Sequence, residues 1–148
     1  MEMKKYPAVD KHHNKVTATI ASGVVMMRGA SVLLIQTEDF DGWKFPGGSL
    51  KSGESLEQCA TREAFEEAGI HVVIPANTKP IVFTFDYPKD ETAHRFMLFH
   101  YPVPDTNETP EPQRNDTTHA KFVPLDRLTN ENCAPNILPV LRALGHIQ

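Results

Sequence analysis

Apolar and polar residues alternate along this chain in a way that separates strands from helices. Residues 16–27, VTATIASGVVMM, are β-branched and apolar; RGA at 28–30 turns the chain, and SVLLIQT at 31–37 returns. That pattern predicts a strand pair. Residues 38–54 are rich in Gly, Asp and Pro and read as a loop. A helix follows: Ser55 is a good N-cap with Gln58 as its capping-box partner, 56–68 contain no Gly or Pro, and Gly69 supplies the stop. IHVVI at 70–74, IVFTFDY at 81–87 and HRFMLFHYPV at 94–103 read as strands, the last two pairing through the intervening PKDETA. Residues 104–118 form a polar, Pro-containing loop long enough to suggest a functional role. A short strand at 120–125 and a closing helix at 136–145, ended by Gly145, complete the series. Residues 1–15 are polar and are expected to be a flexible arm or an edge. No internal repeat is visible. Strands dominate and two helices are placed singly, which predicts one domain of α/β (α+β) class, a mixed sheet covered by helices.

The helix carries the informative chemistry. At about 100° per residue, Glu63, Glu66 and Glu67 fall within an arc of roughly 100°. Such like charges repel by a few tenths of a kcal/mol per pair in an isolated helix. A solvated helix face would interleave the signs at i, i+4. Here Arg62 is the cation near the cluster, and Arg62 to Glu66 runs in the less favourable order. Leu56, Ala60, Ala64 and Ala68 form a ridge of mostly small residues suited to close approach to a sheet. A hard divalent cation such as Mg²⁺ would turn the repulsion among the glutamates into shared attraction and keep them ionised.

The loop before this helix, GGSLKSGES, comes near to the phosphate-binding pattern G-x-x-x-x-G-K-[ST], but Glu54 stands where the lysine belongs. The chain therefore brings positive charge to phosphate on a metal, with Glu54 joining the acidic system at the helix entrance. A net charge of -4 over 148 residues offers no bulk attraction for an anion and argues against coating nucleic acid. Cys59 and Cys133 are far apart in sequence, which favours free thiols. No stretch approaches the ~18 apolar residues of a membrane span, and the N-terminal segment lacks the apolar run of a signal peptide. A cytoplasmic protein with no membrane partner is expected.

The stretch GSLKSGESLEQCATREAFEEAGI at 48–70 resembles the signature box of the Nudix (MutT-like) hydrolases, G-x5-E-x7-R-E-U-x-E-E-x-G-U, where U is aliphatic. Gly48, Glu54, Arg62, Glu63, Glu66, Glu67 and Gly69 match every fixed letter, and Ala64 is smaller than the usual aliphatic residue. Seven fixed residues at set spacing arise by chance on the order of once in 10⁸. WKFPG at 43–47 and FVPLDRL at 122–128 are also similar to flanking parts of that family. The resemblance implies an α/β/α sandwich around a central mixed sheet. It implies water attack on phosphorus in a nucleoside diphosphate linked to another moiety, whether a nucleoside triphosphate, ADP-ribose or other nucleotide sugar, or a dinucleoside polyphosphate. By resemblance, Glu66 and Glu67 are the main ligands of Mg²⁺ or Mn²⁺, Glu63 is a further ligand or the general base, and the Gly47 carbonyl completes the coordination. Arg62 orients a box glutamate, and Glu54 supports the loop–helix junction. A base outside the box would be Glu111, Asp116 or His119.

Candidate substrate contacts are Trp43, Phe45, Tyr87 and Arg95, with Lys44, Lys79 and Lys89 as further cations; core packing is the competing role for the aromatics. His12 and His13 are adjacent and point apart on a regular element, which disfavours a metal site there. Cys59 is expected to pack. The partner is a small nucleotide, and a monomer or a homodimer is equally compatible. The alternative reading is a catalytically silent nucleotide sensor on the same fold; an intact acidic box argues against it.

Overall fold

The computed structural model describes residues 5–9, 15–89 and 92–148, with side chains described for 17–86 and 94–148. His12 and His13 lie outside the described residues. The described strands are β1 (Lys5–Val9), β2 (Lys15–Arg28), β3 (Ser31–Thr37), β4 (Phe40–Lys44), β5 (Gly47–Ser49), β6 (Ile81–Lys89), β7 (Thr92–Val103) and β8 (Thr117–Pro124). The α-helices are α1 (Leu56–Ala68) and α2 (Ile137–Ala143), with a short 3-10 turn at Leu125–Arg127. The main strand order is β4-β3-β2-β7-β6, with β1 and β5 pairing β2 and β8 pairing β3. The pair β2/β7 is parallel and the others are antiparallel, so the sheet is mixed. Within the segment expected to be an arm or an edge, β1 runs beside the start of β2.

Alternation along β2 and β3 feeds two cores. Val24, Met26, Leu33 and Ile35 face α1 and pack with Ala60, Ala64 and Ala68, while Val25, Val32 and Leu34 face α2 and pack with Ile137, Val140 and Leu141. Period-two side-chain direction on the strands thus sets one helix on each face.

Two sequence expectations need correction. The 38–54 loop contains β4 and β5: Gly, Asp and Pro suggest irregular backbone, yet long-range pairing with β3 and β2 recruits these short segments. The strand expected at 70–74 is irregular chain without a sheet partner; Ile70 and Val72 are buried, whereas Val73 is 70% exposed. Its apolar pattern covers the edge of the α1 core instead of pairing. The β6/β7 hairpin, the β2–β3 pair and α1 follow the sequence reading, with β8 starting at Thr117.

Helix α1 begins with a complete capping box, Gln58 N–H donating to Ser55 Oγ and Ser55 N–H to Gln58 Oε1. It ends at Gly69 with φ 68°, the left-handed conformation that glycine adopts without steric cost. A Cβ on Gly69 would also collide with the Glu111 carbonyl oxygen. We expect Gly69→Ala to cost about 2 kcal/mol or more in urea denaturation, from strain in the left-handed region plus that clash; stability equal to wild type would contradict the geometry.

Candidate active site

The acidic arc of α1 faces inward. Glu63 and Glu67, at i and i+4, are 1% and 5% exposed, positions a packing helix would ordinarily give to aliphatic residues. They face β5, whose glycines make room for them. Gly47 N–H donates to Glu67 Oε1 at 2.7 Å, and a Cβ on Gly48 would sit 2.5 Å from Glu63 Oε1. Gly23 on β2 is equally constrained, because any side chain there would run into the Pro46 carbonyl. The sheet surface beneath the carboxylates is thus nearly bare backbone.

Two guanidinium groups hold the carboxylates. Arg62 forks onto Glu54 (Nε–Oε2 2.7 Å, Nη2–Oε1 2.9 Å) and donates to Glu63 Oε1 at 2.9 Å, Glu66 Oε2 at 3.1 Å and the Ser49 carbonyl at 3.2 Å. This places Glu54 at the loop–helix junction, where it also accepts from Lys51 N–H at 3.0 Å. The fork holds the Glu54 carboxyl well below its ordinary value, at about 2. Burial, and then the neighbouring Glu63 charge, push Glu67 well above the usual carboxylate range.

The second guanidinium is one the sequence did not single out. Arg114 Nη2 donates to Glu66 Oε2 and lies 3.3 Å from Glu63 Oε2; Nη1 is 4.0 Å from Glu67 Oε2 and Nε is 3.9 Å from Asp116 Oδ1. The only available signal was the shortage of positive charge near four glutamates, which does not say where in the chain the counter-charge resides.

A cavity of about 230 Å³ adjoins this cluster, lined by Gly47 and Gly48 together with Lys44, Phe45, Phe85, His100 and Asn136 among others. Phe45 is buried and meets the His100 ring edge-on, with centroids 5.3 Å apart. Burial lowers the His100 pKa, keeping the ring neutral. Its Nδ1–H therefore donates to the Ile81 carbonyl at 3.0 Å, and Nε2 accepts from Asn136 Nδ2 at 2.8 Å. Asn136 precedes α2 and is held by this bond with its other amide atoms uncommitted to His100. His100 and Asn136 were also missed, since a single His and a single Asn 36 positions apart carry no local pattern.

Other sequence candidates lie elsewhere. Trp43 packs with the α2 core beneath Lys121, whose Nζ is 5.2 Å from the ring centroid, and does not line the cavity. Arg95 pairs across the β6/β7 hairpin with Asp86, Nε–Oδ1 2.8 Å. The side chain of Tyr87 and that of Lys89 lie outside the described residues. Of the outside-box base candidates, Asp116 reaches the cluster through Arg114. Glu111 meets α1 through its backbone, its N–H bonding to the Ala68 carbonyl at 2.8 Å, and the exposed His119 places Nδ1 3.1 Å from Thr118 Oγ1. Cys59 is buried, and burial above all raises its thiol to about 12, consistent with packing.

The donor set suits a hard divalent cation: three carboxylates turned toward one cationic group, over a glycine floor. Among the described residues no three Asp, Glu, His or Cys side chains already converge into a cation cage; the carboxylates converge on guanidinium groups. No described helix is long and apolar enough to cross a membrane.

Fold and site together define a mixed sheet between two helices with a buried acidic centre, and comparison with known proteins gives the family. The NUDIX domain model matches residues 17–144, and the chain belongs to the NUDIX family. The Nudix hydrolase YvcI of Bacillus subtilis is 36% identical over 76 residues, 51% of this chain and 47% of that protein. An RNA pyrophosphohydrolase of Baumannia cicadellinicola is 35% identical over 57 residues, 38% of this chain and 34% of that protein. These matches therefore span less than half of each relative's own length. The crystal structure of the MutT protein from Bacillus halodurans shares the fold, with a TM-score of 0.69 at 21% identity over 86% of this chain and 82% of that one.

The Glu54 bridge makes a pH-dependent prediction. A carboxyl whose folded pKa is depressed from 4.5 to about 2 stabilises the fold fully above about pH 4.5, and that contribution is lost as pH falls toward 2. Glu54→Gln is expected to be less stable than wild type near about pH 6, with the gap narrowing at about pH 3. Denaturation at the two pH values checks this, and an unchanged gap would count against the bridge.

Proposed function

We propose that this protein hydrolyses a phosphoanhydride bond of a nucleoside diphosphate linked to a further group, by water attack on phosphorus, using Mg²⁺ or Mn²⁺. The observation that carries this reading is the shared wall of Gly47 and Gly48. Gly47 N–H bonds Glu67, Gly48 lies against Glu63, and both glycines line the cavity. A base seated in the cavity would have its phosphate chain within reach of the carboxylates.

Glu63, Glu66 and Glu67 would hold the metal, with the Gly47 carbonyl as a further ligand. The metal supplies neutralisation of phosphate oxygens and a more acidic bound water. Arg62 keeps Glu63 and Glu66 oriented by its fork on Glu54. Glu63 is the internal candidate for taking the proton from water, and Asp116 is the outside-box candidate nearest the cluster. Lys44 lines the cavity, and its charge acts on Glu67, which suits it to meet a phosphate between the two. Phe45 and Phe85 give the base apolar walls, and the Asn136 amide, oriented by His100, reads its polar edge. The name of the Baumannia relative fits this reaction class.

A nucleotide panel incubated with Mg²⁺, with products analysed in ¹⁸O-water, tests the reading; tight binding with no turnover of any compound would overturn it. Glu63→Gln is expected to lower kcat by on the order of 10²-fold or more while the protein remains folded. Asn136→Ala is expected to raise KM roughly tenfold with kcat nearly unchanged, as loss of a uniform binding contact requires. A fall in kcat with constant KM would remove Asn136 from base recognition.

A further inference from the structure

We propose that Arg114 is a resident cation of the carboxylate site, and that a divalent metal loads by displacing its guanidinium from Glu63, Glu66 and Glu67. This rests on the reading of those three side chains as the metal ligands.

The two arginines divide the carboxylate oxygens between them. Arg62 takes Oε1 of Glu63 and both oxygens of Glu54, a residue that stands apart from the proposed ligands, and shares Oε2 of Glu66 with Arg114. Gly47 N–H takes Oε1 of Glu67. Oε2 of Glu63 and Oε2 of Glu67 are left facing Arg114, which also meets Oε2 of Glu66. A cation held by the three side chains would draw on these same carboxylates. Mg²⁺ sits roughly 2.1 Å from each ligand oxygen. A guanidinium hydrogen-bonded to Glu63 and Glu66 and 4.0 Å from Glu67 leaves no room for it, and the two positive charges repel. Metal and Arg114 are therefore mutually exclusive on these atoms, whereas Arg62 overlaps the set only at Glu66 Oε2 and keeps its fork on Glu54.

Arg114 is also placed so that its head can leave while its backbone stays. Gln113 N–H donates to the Glu66 carbonyl at 3.0 Å, and Thr117 N–H donates to the Arg114 carbonyl at 3.2 Å, so the chain is tied on both sides of it. The long side chain has free torsions between that anchor and the charge. Asp116, 59% exposed and 3.9 Å from Nε, offers the departing group a second carboxylate.

Two ligands that compete for one set of atoms are linked: removing one raises the apparent affinity of the other. The experiment is a Mn²⁺ titration of the full chain without nucleotide, read by electron paramagnetic resonance, for wild type, Arg114→Gln and Arg114→Lys. Arg114→Gln is expected to bind Mn²⁺ about tenfold tighter than wild type while melting at a lower temperature without metal. Arg114→Lys keeps a charge but lacks the fork that spans three carboxylates, and is expected to fall between. It also serves if the glutamine variant does not fold. Mn²⁺ affinity that is unchanged or weaker in the folded variants would make Arg114 a structural staple and overturn the proposal. Absence of Mn²⁺ binding in wild type and variants alike would overturn the metal reading on which it rests.

Discussion

The arrangement depends on burying two carboxylates, Glu63 and Glu67, on the face of a helix that packs against a sheet. Removing charge from water costs several kcal/mol unless it is paired and hydrogen-bonded. Here the compensation comes from Arg62, from Arg114 and from the Gly47 amide. Those partners reach the carboxylates only if the backbone comes close. That closeness excludes side chains at Gly47 and Gly48. Gly23 beneath them is bare for a related reason, since Pro46 and Gly47 press against it. The space not filled by side chains on that stretch of sheet then becomes the cavity beside the site. One electrostatic requirement thus shapes both the acidic centre and the pocket that opens next to it.

The same requirement explains the small ridge of α1. Ala60, Ala64 and Ala68 are fully buried against β2 and β3, next to the ridge that carries Cys59, Glu63 and Glu67. Small residues on the adjoining ridge let the helix lie close enough for its glutamates to reach β5. Ala64, the departure from the usual aliphatic letter, sits in this contact and is consistent with close packing. Ser22 Oγ adds a bond to the Leu56 carbonyl at 2.7 Å, tying the first turn of the helix to β2.

What was legible in the sequence is what short-range rules determine. The capping box at Ser55 and Gln58, the stop at Gly69 and the inward arc of glutamates all follow from spacing within one helix. The β6/β7 hairpin was legible for a similar reason, two apolar strand segments joined by the short PKDETA connection. Strands β4 and β5 were not, because their Gly-rich residues form strands only when β2 and β3 supply partners. The strand expected at 70–74 erred in the other direction: apolar residues there needed burial, not pairing. Arg114, His100 and Asn136 were invisible because each owes its place to contacts 36 to 51 positions away.

The loop that delivers Arg114 looks unstructured by composition, yet it is fixed at successive points. Asp105 receives both ends of the Arg28 fork, at 2.9 and 2.8 Å, and Glu108 accepts from the His71 backbone at 3.0 Å. The last turn of any α-helix leaves carbonyls without intrahelical donors. In α1, two of these, Glu66 and Ala68, receive their hydrogen bonds from Gln113 and Glu111 of this loop. Gly69 has no side chain to obstruct the approach. The need to satisfy the helix end therefore brings the loop across it, and the residue after Gln113 falls beside the carboxylates. The counter-charge of the site is positioned by helix capping, a backbone requirement that exists whatever the ligand.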